Sequence, residues 1–397
     1  MFHAPARQGL WALALACSLY SLPAYSVSST ATRPQLTSSS AANYTVAKYM
    51  AQAGTLGSLT TDNWDPSSGV GAISSFTANY AVAADGSATY KTIQAAINAA
   101  VSAGGSARKY ISVKAGTYKE VVCVPSSAPP ITLYGLDATS GNTVIVFGNA
   151  NLTPKSSGTS THACVGNASA TTVGTLGSAT FNVAASNFRA RNLSFKNSYV
   201  EGTYSGSNQS ALALAVRGDK AIFENVSITG NQDTLYIGGS SYTTVIRAYF
   251  KSSFIQGDTD FIFGHGTAAF NGCTIQYTGA RLGSGTASYI FAPSTRPANT
   301  YGFLVINSTL NYAGSVASSS IYLARAWDEG IGSLSNYVNG ASPNGQVTVR
   351  DSSIAGHIRL TAPWGSSTAG RAYCSSGCTY SPNRFYEYNN SGAGSGN

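Results

Sequence analysis

Charge is scarce in this chain: Asp, Glu, Lys and Arg together make up only 10% of its 397 residues. Helical bundles and coiled coils need exposed faces rich in Lys and Glu, so neither suits this composition. Basic residues are also never concentrated. The longest run is Arg108-Lys109, which argues against a nucleic-acid face, where Lys and Arg cluster. The four His (His3, His162, His265 and His357) are far apart, and no Cys/His pairing has the spacing of a zinc site. Beyond the N-terminus no segment is long and apolar enough to cross a bilayer. Disorder is excluded from the other direction, because 43% of the residues are hydrophobic. What remains is Gly-rich and Tyr-rich, with 42 Gly and 24 Tyr, the profile of an all-β protein from outside the cell. The formal net charge of +8, spread thinly, suits a diffuse attraction to an anionic polymer.

Residues 1–26 read as a signal peptide. Arg7 supplies a positive start, Leu10 to Leu22 is apolar but too short for a membrane span, and Ala24-Tyr25-Ser26 ends in small residues. The expected location is therefore extracellular. Cys17 after Ala14-Leu15-Ala16 leaves an outer-membrane lipoprotein, or a periplasmic form, as the alternative. Cleavage would leave five cysteines. Cys374 and Cys378 are close enough for a local disulfide, Cys123 and Cys164 are candidates for a second, and Cys273 in a strand-like run reads as a buried free thiol. Residues 27–80 form a Ser/Thr/Gly-rich N-terminal segment of mixed order, and residues 81–397 the catalytic domain.

A helix is predicted over Lys91–Val101, where Ile93, Ala96, Ile97 and Ala100 fall on one face. Beyond it, period-two alternation takes over. A six-residue frame recurs: apolar, any, Asn/Asp/Ser/Gly, small or apolar, any, apolar. It fits Ala190–Phe195, Phe223–Ile228, Phe250–Ile255, Phe270–Ile275, Val305–Leu310 and Val349–Ile354. A constant strand with variable spacing describes a parallel β-helix whose coils emit loops of different length, each coil stacked on the last at about 4.8 Å. A β-sandwich would need six matches by chance. The amphipathic helix would cap the open end of the apolar ladder.

The repeat makes a prediction about chemistry. Asp233 lies five residues after Ile228 and Asp260 five after Ile255, the closing residues of consecutive frames. In register, the two carboxylates stack about one interstrand spacing apart. They cannot both ionise cheaply, so one stays charged, suited to a nucleophile, and its partner stays protonated, suited to a proton donor. Asp258 has no counterpart on the preceding coil and reads as a turn or loop residue.

The residues around these positions resemble the central motifs of the pectin methylesterase (pectinesterase) family: Gly230-Asn231-Gln232-Asp233-Thr234-Leu235-Tyr236 and Gly257-Asp258-Thr259-Asp260-Phe261-Ile262-Phe263-Gly264. Gly116-Thr117-Tyr118-Lys119-Glu120, Gln209-Ser210-Ala211-Leu212-Ala213-Leu214 and Leu323-Ala324-Arg325-Ala326-Trp327 are similar to three further family segments, in the same order. The likeness runs from about Ala81 to the C-terminus and is nearest to the bacterial branch. It implies a single-stranded, right-handed parallel β-helix with a short N-terminal capping helix, and hydrolysis of the methyl esters of polygalacturonate (pectin) in plant cell-wall degradation, by a monomer without cofactor or metal. Carried over by motif, Asp260 would be the nucleophile and Asp233 the proton donor and acceptor. Gln232 would stabilise the transition state, with Gln209 beside it in the oxyanion hole. Arg325 would hold the nucleophile, Trp327 would line the sugar cleft, and Thr180 and Gln209 would touch substrate. Ala324 and Ala326 depart from the usual Gly and Pro around Arg325, and Asp258 adds negative charge close to the nucleophile.

Two other functions fit such a solenoid. A β-helical polygalacturonase-type glycoside hydrolase would also use paired carboxylates, and Gly264-His265-Gly266 resembles a short element of that group, but its Asn-Thr-Asp, Asp-Asp and Arg-Ile-Lys motifs are missing. A non-catalytic adhesin would not need Gln209, Gln232, Asp233, Asp260 and Arg325 to converge. His265, Tyr236, Phe261 and Phe263 read as turn, ladder or core residues at least as readily as groove residues.

Overall fold

The computed structural model describes residue 1 and residues 28–157, 164, 169–206, 208–282 and 286–396. The signal segment with Cys17, apart from Met1, and His162 therefore lie outside the described residues. The chain winds into a right-handed parallel β-helix. Three parallel sheets run its length, of ten, eight and seven strands. Each regular coil contributes one strand to each: in the second coil of the repeat, Ala221–Glu224, Ser227–Thr229 and Leu235–Ile237.

The six-residue frame turns out to be the corner between the first and second sheets. Its first apolar positions pair in one unbroken ladder, Ala190, Phe223, Phe250, Phe270, Val305 and Val349. Its last positions pair in another, Phe195, Ile228, Ile255, Ile275, Leu310 and Ile354. The third position explains the Asn/Asp/Ser/Gly requirement. Asn192, Asn225, Ser252, Gly272, Asn307 and Asp351 all adopt a left-handed backbone, with φ between 48° and 64°. Asn, Asp and Gly visit that region at least cost, and it lets the chain bend sharply without breaking either ladder. Inside, apolar side chains stack along the axis. Phe250 lies between Phe223 and Phe270, with ring centroids 5.0 and 4.9 Å away. Cys273 sits in this interior as a buried free thiol, whereas Cys123–Cys164 and Cys374–Cys378 are disulfides.

The helix spans Ile93–Ala103, two residues later than the apolar pattern suggested, and buries the expected Ile93, Ala96, Ile97 and Ala100. It packs against the strands Tyr80–Val82, Lys109–Val113 and Val122–Val124 and covers the first coil. Thr92 caps it, and the Glu120 carboxylate accepts the N–H groups of Ile93 (2.8 Å) and Gln94 (2.9 Å). An anion there meets the positive end of the helix dipole. Glu120 of the early Gly-x-Tyr-x-Glu motif is thus a fold residue.

Residues 28–79 are more ordered than the composition suggested. Tyr49, Met50 and Val70 cover an apolar strip on the outer face of the first sheet, formed by Ile222, Tyr249, Ala269 and Leu304. These four sit one residue out of phase with, or between, the inward positions, so both faces of the sheet are apolar. Two ion-pair sites fasten the segment. Arg247 bridges Asp62 (2.8 Å) and Asp219 (2.7 Å), and Arg33 pairs with Glu387 of the last strand, Arg384–Tyr388. Glu387 is fully buried and Arg33 only 3% exposed.

Removing one partner of such a pair strands a charge. Arg33→Ala should lower unfolding stability by about 3–5 kcal/mol, measured in urea, while Arg33→Met combined with Glu387→Leu should recover most of it. A second test uses His357, buried against Tyr277 and Tyr312, where burial holds its pKa down to about 4. The unfolded chain takes up this proton near pH 6.5 and the folded one does not. Stability should therefore fall as pH drops from about 6.5 towards 4, by about 3 kcal/mol in total, and His357→Leu should flatten that slope.

Candidate active site

The site lies on the outer face of the third sheet, at the end where the chain enters its strands. Gln232 bridges Thr259 of the next coil in parallel, and the Asp233 N–H donates to the Thr259 carbonyl (3.0 Å). Asp260 repeats the arrangement one coil further, donating to the Tyr289 carbonyl (2.9 Å). The register argument therefore holds: the two aspartates occupy equivalent places on consecutive coils. Both have left-handed backbone, φ 63° and 47°. Asp adopts this conformation at lower cost than most residues. Here it turns each carboxylate into the cavity.

Arg325 follows the strand Tyr322–Ala324 and reaches back to Asp260. Its Nε lies 2.9 Å from Oδ1 and its Nη2 2.5 Å from Oδ2, a two-pronged pairing. The guanidinium is also stacked over Tyr289, 4.2 Å from the ring centre. Ala324 and Ala326, in place of Gly and Pro, are both buried in the apolar interior. Burial raises the pKa of Asp260, and Arg325 opposes the rise. Asp233 has no such partner. Burial and the charge of Asp260 push it up to about 8. At neutral pH the proton of the pair therefore resides on Asp233.

A cavity of about 310 Å³ opens over these groups, with Gln232, Tyr236, Phe263 and Trp327 among its walls. Trp327 packs edge-on against Phe263, centroids 5.5 Å apart, leaving an apolar surface beside the carboxylates. The Gln232 carboxamide makes no hydrogen bond to any described residue, so its N–H groups are free for a ligand. Asp258 sits in the expected bend but is fully buried, where Arg281 grips both its oxygens at 2.6 Å; its charge is thereby offset. Among the described residues no three His, Cys, Asp or Glu side chains gather as a metal site requires.

Two expected site residues are elsewhere. Thr180 is completely buried at the entry to the strand Phe181–Val183, its hydroxyl donating to the Lys196 carbonyl (3.0 Å) and so closing the corner to the second sheet. It cannot touch a substrate. Gln209 turns into the loop 199–206: its Nε2 donates to the carbonyls of Tyr204 (3.1 Å) and Gly206 (2.6 Å), and its Oε1 accepts from the Tyr199 hydroxyl (2.5 Å). Both donors are used, which leaves none for an oxyanion. Phe261 belongs to the interior, whereas Tyr236 and Phe263 face the cavity.

Seven cavity residues escaped the sequence reading: Thr175, Leu176, Asn208, Ser210, Ala292, Glu329 and Thr368. Glu329 lies in a turn beyond the strand Tyr322–Ala324, where no periodicity in the sequence marks its direction. Asp328, just before it, turns inward to a buried pair with Arg371 (2.9 Å). The Glu329 carboxylate is held by His265 Nδ1 (3.0 Å) and Ser294 Oγ (2.9 Å). His265 is thus a buried support for a cleft acid, more than the turn residue expected.

A family model described as pectinesterase matches residues 79–332. The chain belongs to the pectinesterase family. It is 68% identical over 381 residues to a pectinesterase from Ralstonia solanacearum, 96% of each chain being covered. Among solved structures it is similar to a rice weevil pectin methyl esterase, with a TM-score of 0.79 and 36% identity over 93% of this chain and all of that one. A pectin methylesterase solved in complex with a hexasaccharide is similar at a TM-score of 0.63 and 29% identity, covering 81% of this chain and 91% of that one. As a pectinesterase the chain is a carboxylic ester hydrolase, and the site has an ester hydrolase's needs: an ionised carboxylate, a carboxylic acid and free amide donors.

Proposed function

We propose that this pectinesterase hydrolyses the methyl esters of polygalacturonate to pectate and methanol through an aspartyl acyl-enzyme, as part of plant cell-wall degradation. The observation that carries the reading is the unequal pair: Asp260 held two-pronged by Arg325, and Asp233 one coil away with its proton retained to about pH 8. In the first half-reaction an Asp260 oxygen attacks the ester carbonyl carbon. Negative charge develops on the carbonyl oxygen, where the Gln232 N–H groups can meet it. The tetrahedral intermediate collapses as Asp233 gives its proton to the departing methoxide, and methanol leaves. Asp233, now a carboxylate, takes a proton from water. The resulting hydroxide attacks the acyl carbon, releasing the galacturonate acid and the Asp260 carboxylate. Trp327 offers a platform for a sugar ring, and the net charge of +8 favours approach of a polyanion.

We place this activity outside the cell. The N-terminal 26 residues support export, and the disulfides Cys123–Cys164 and Cys374–Cys378 suit an oxidising compartment. A lipid anchor at Cys17 is the alternative route to the same side of the membrane.

Asp260→Ala should abolish methanol release from methyl-esterified pectin while the circular dichroism spectrum stays native. Methanol should appear without new reducing ends; chain shortening by the wild type would instead support a glycoside hydrolase. The pH profile provides a separate check. Asp233 acts as an acid only while protonated, so kcat should fall as pH rises through about 8. Asp233→Asn should lose that alkaline limb together with most of the turnover, and an unchanged profile would remove Asp233 from the mechanism.

A further inference from the structure

The oxyanion needs more than one donor, and the residue expected to supply the second, Gln209, is committed to its own loop. Its neighbours are not. Asn208 and Ser210, two positions apart on either side of it, both line the cavity with Gln232, Asp233 and Asp260. Asn208 Oδ1 accepts two hydrogen bonds from Ser210, from the backbone N–H (3.1 Å) and from Oγ (2.5 Å).

The backbone N–H can only donate, so it settles which end of the Asn208 amide is oxygen. The flipped amide would set two donors against each other. Two bonds to the oxygen also fix the plane of the group. Nδ2, with two N–H donors, is left with no partner among the described residues. Asn208 is exposed where it lines the cavity, and with its acceptor satisfied its donors are open to a ligand carrying negative oxygen. Ser210 Oγ also contacts the Asp233 carboxyl. That contact favours the charged form of Asp233 and so opposes the rise in its pKa.

We propose that Asn208 Nδ2 is the second oxyanion donor, acting with Gln232 where Gln209 cannot, and that Ser210 locks it in that orientation. The inference rests on the acyl-enzyme reading above. Asn208 is then a catalytic residue and Ser210 a positioning one. Gln209 shapes the loop beside them.

The test is steady-state methanol release from methyl-esterified pectin by Asn208→Ala, Asn208→Asp, Gln209→Ala and Asp260→Ala, each with its thermal midpoint. Asn208→Ala should lower kcat by about 10²–10³ with KM changed by less than about threefold, as expected for a donor used mainly in the transition state. Asn208→Asp keeps the acceptor for Ser210 but has no N–H, and should be equally slow at an unchanged thermal midpoint. Gln209→Ala should cost at least about tenfold less in kcat than Asn208→Ala. The proposal is overturned if either Asn208 variant keeps kcat within about threefold of wild type, if its loss appears only in KM or in the thermal midpoint, or if Gln209→Ala is the slower enzyme. Asp260→Ala separates the two levels: activity there overturns the acyl-enzyme reading itself, whereas an inactive Asp260→Ala beside an active Asn208→Ala overturns only the role of Asn208.

Discussion

Register between successive coils is the constraint from which the rest of the molecule follows. The strands of the three sheets pair in parallel register with those of neighbouring coils, so a slip of one residue would turn every inward side chain outward. The left-handed corner residues from Asn192 to Asp351 hold that register by making every coil turn at the same place. Because they do, two aspartates five residues past the corner strands of consecutive coils become neighbours. Their proximity is a property of the solenoid, and no local contact between them is needed to bring it about.

Electrostatics then separates two chemically identical side chains. Both lose solvent at the cavity floor, which alone would protonate both. Arg325 hydrogen-bonds only one of them, Asp260. Its guanidinium is itself half enclosed and braced against Tyr289, so the pair with Asp260 is directional as well as charged. The other acidic groups nearby have partners of their own: Asp258 is offset by Arg281, Asp328 by Arg371, and Glu329 is hydrogen-bonded to His265 and Ser294. The cleft thus keeps Asp260 paired with Arg325 while the acids around it are held by partners of their own.

The N-terminal segment shows why composition alone misjudged part of the chain. Ser, Thr, Ala and Gly over residues 27–80 carry no strong periodicity, and the order of this stretch depends on partners far away in sequence. Tyr49 finds Gln346, Asp62 finds Arg247, and Arg33 finds Glu387. The segment in turn explains the apolar outer face of the first sheet, which as an isolated pattern reads only as a richer core.

Much was determined by the sequence alone. The repeat frame specified the parallel β-helix, the apolar face of residues 93–100 specified the cap, and the common offset of Asp233 and Asp260 placed two carboxylates on consecutive coils. Each of these depends on local periodicity, and local periodicity survives in a string of letters. Tertiary structure decided which polar side chains reach the cleft. Thr180 and Gln209 had the expected types at the expected places, yet one closes a corner and the other closes a loop, while Asn208, Ser210 and Glu329 form the wall. Outside the strands, nothing in the order of residues states which side of the backbone faces the cavity. That side is set by hydrogen bonds to neighbouring loops and coils, which exist only once the spiral has closed.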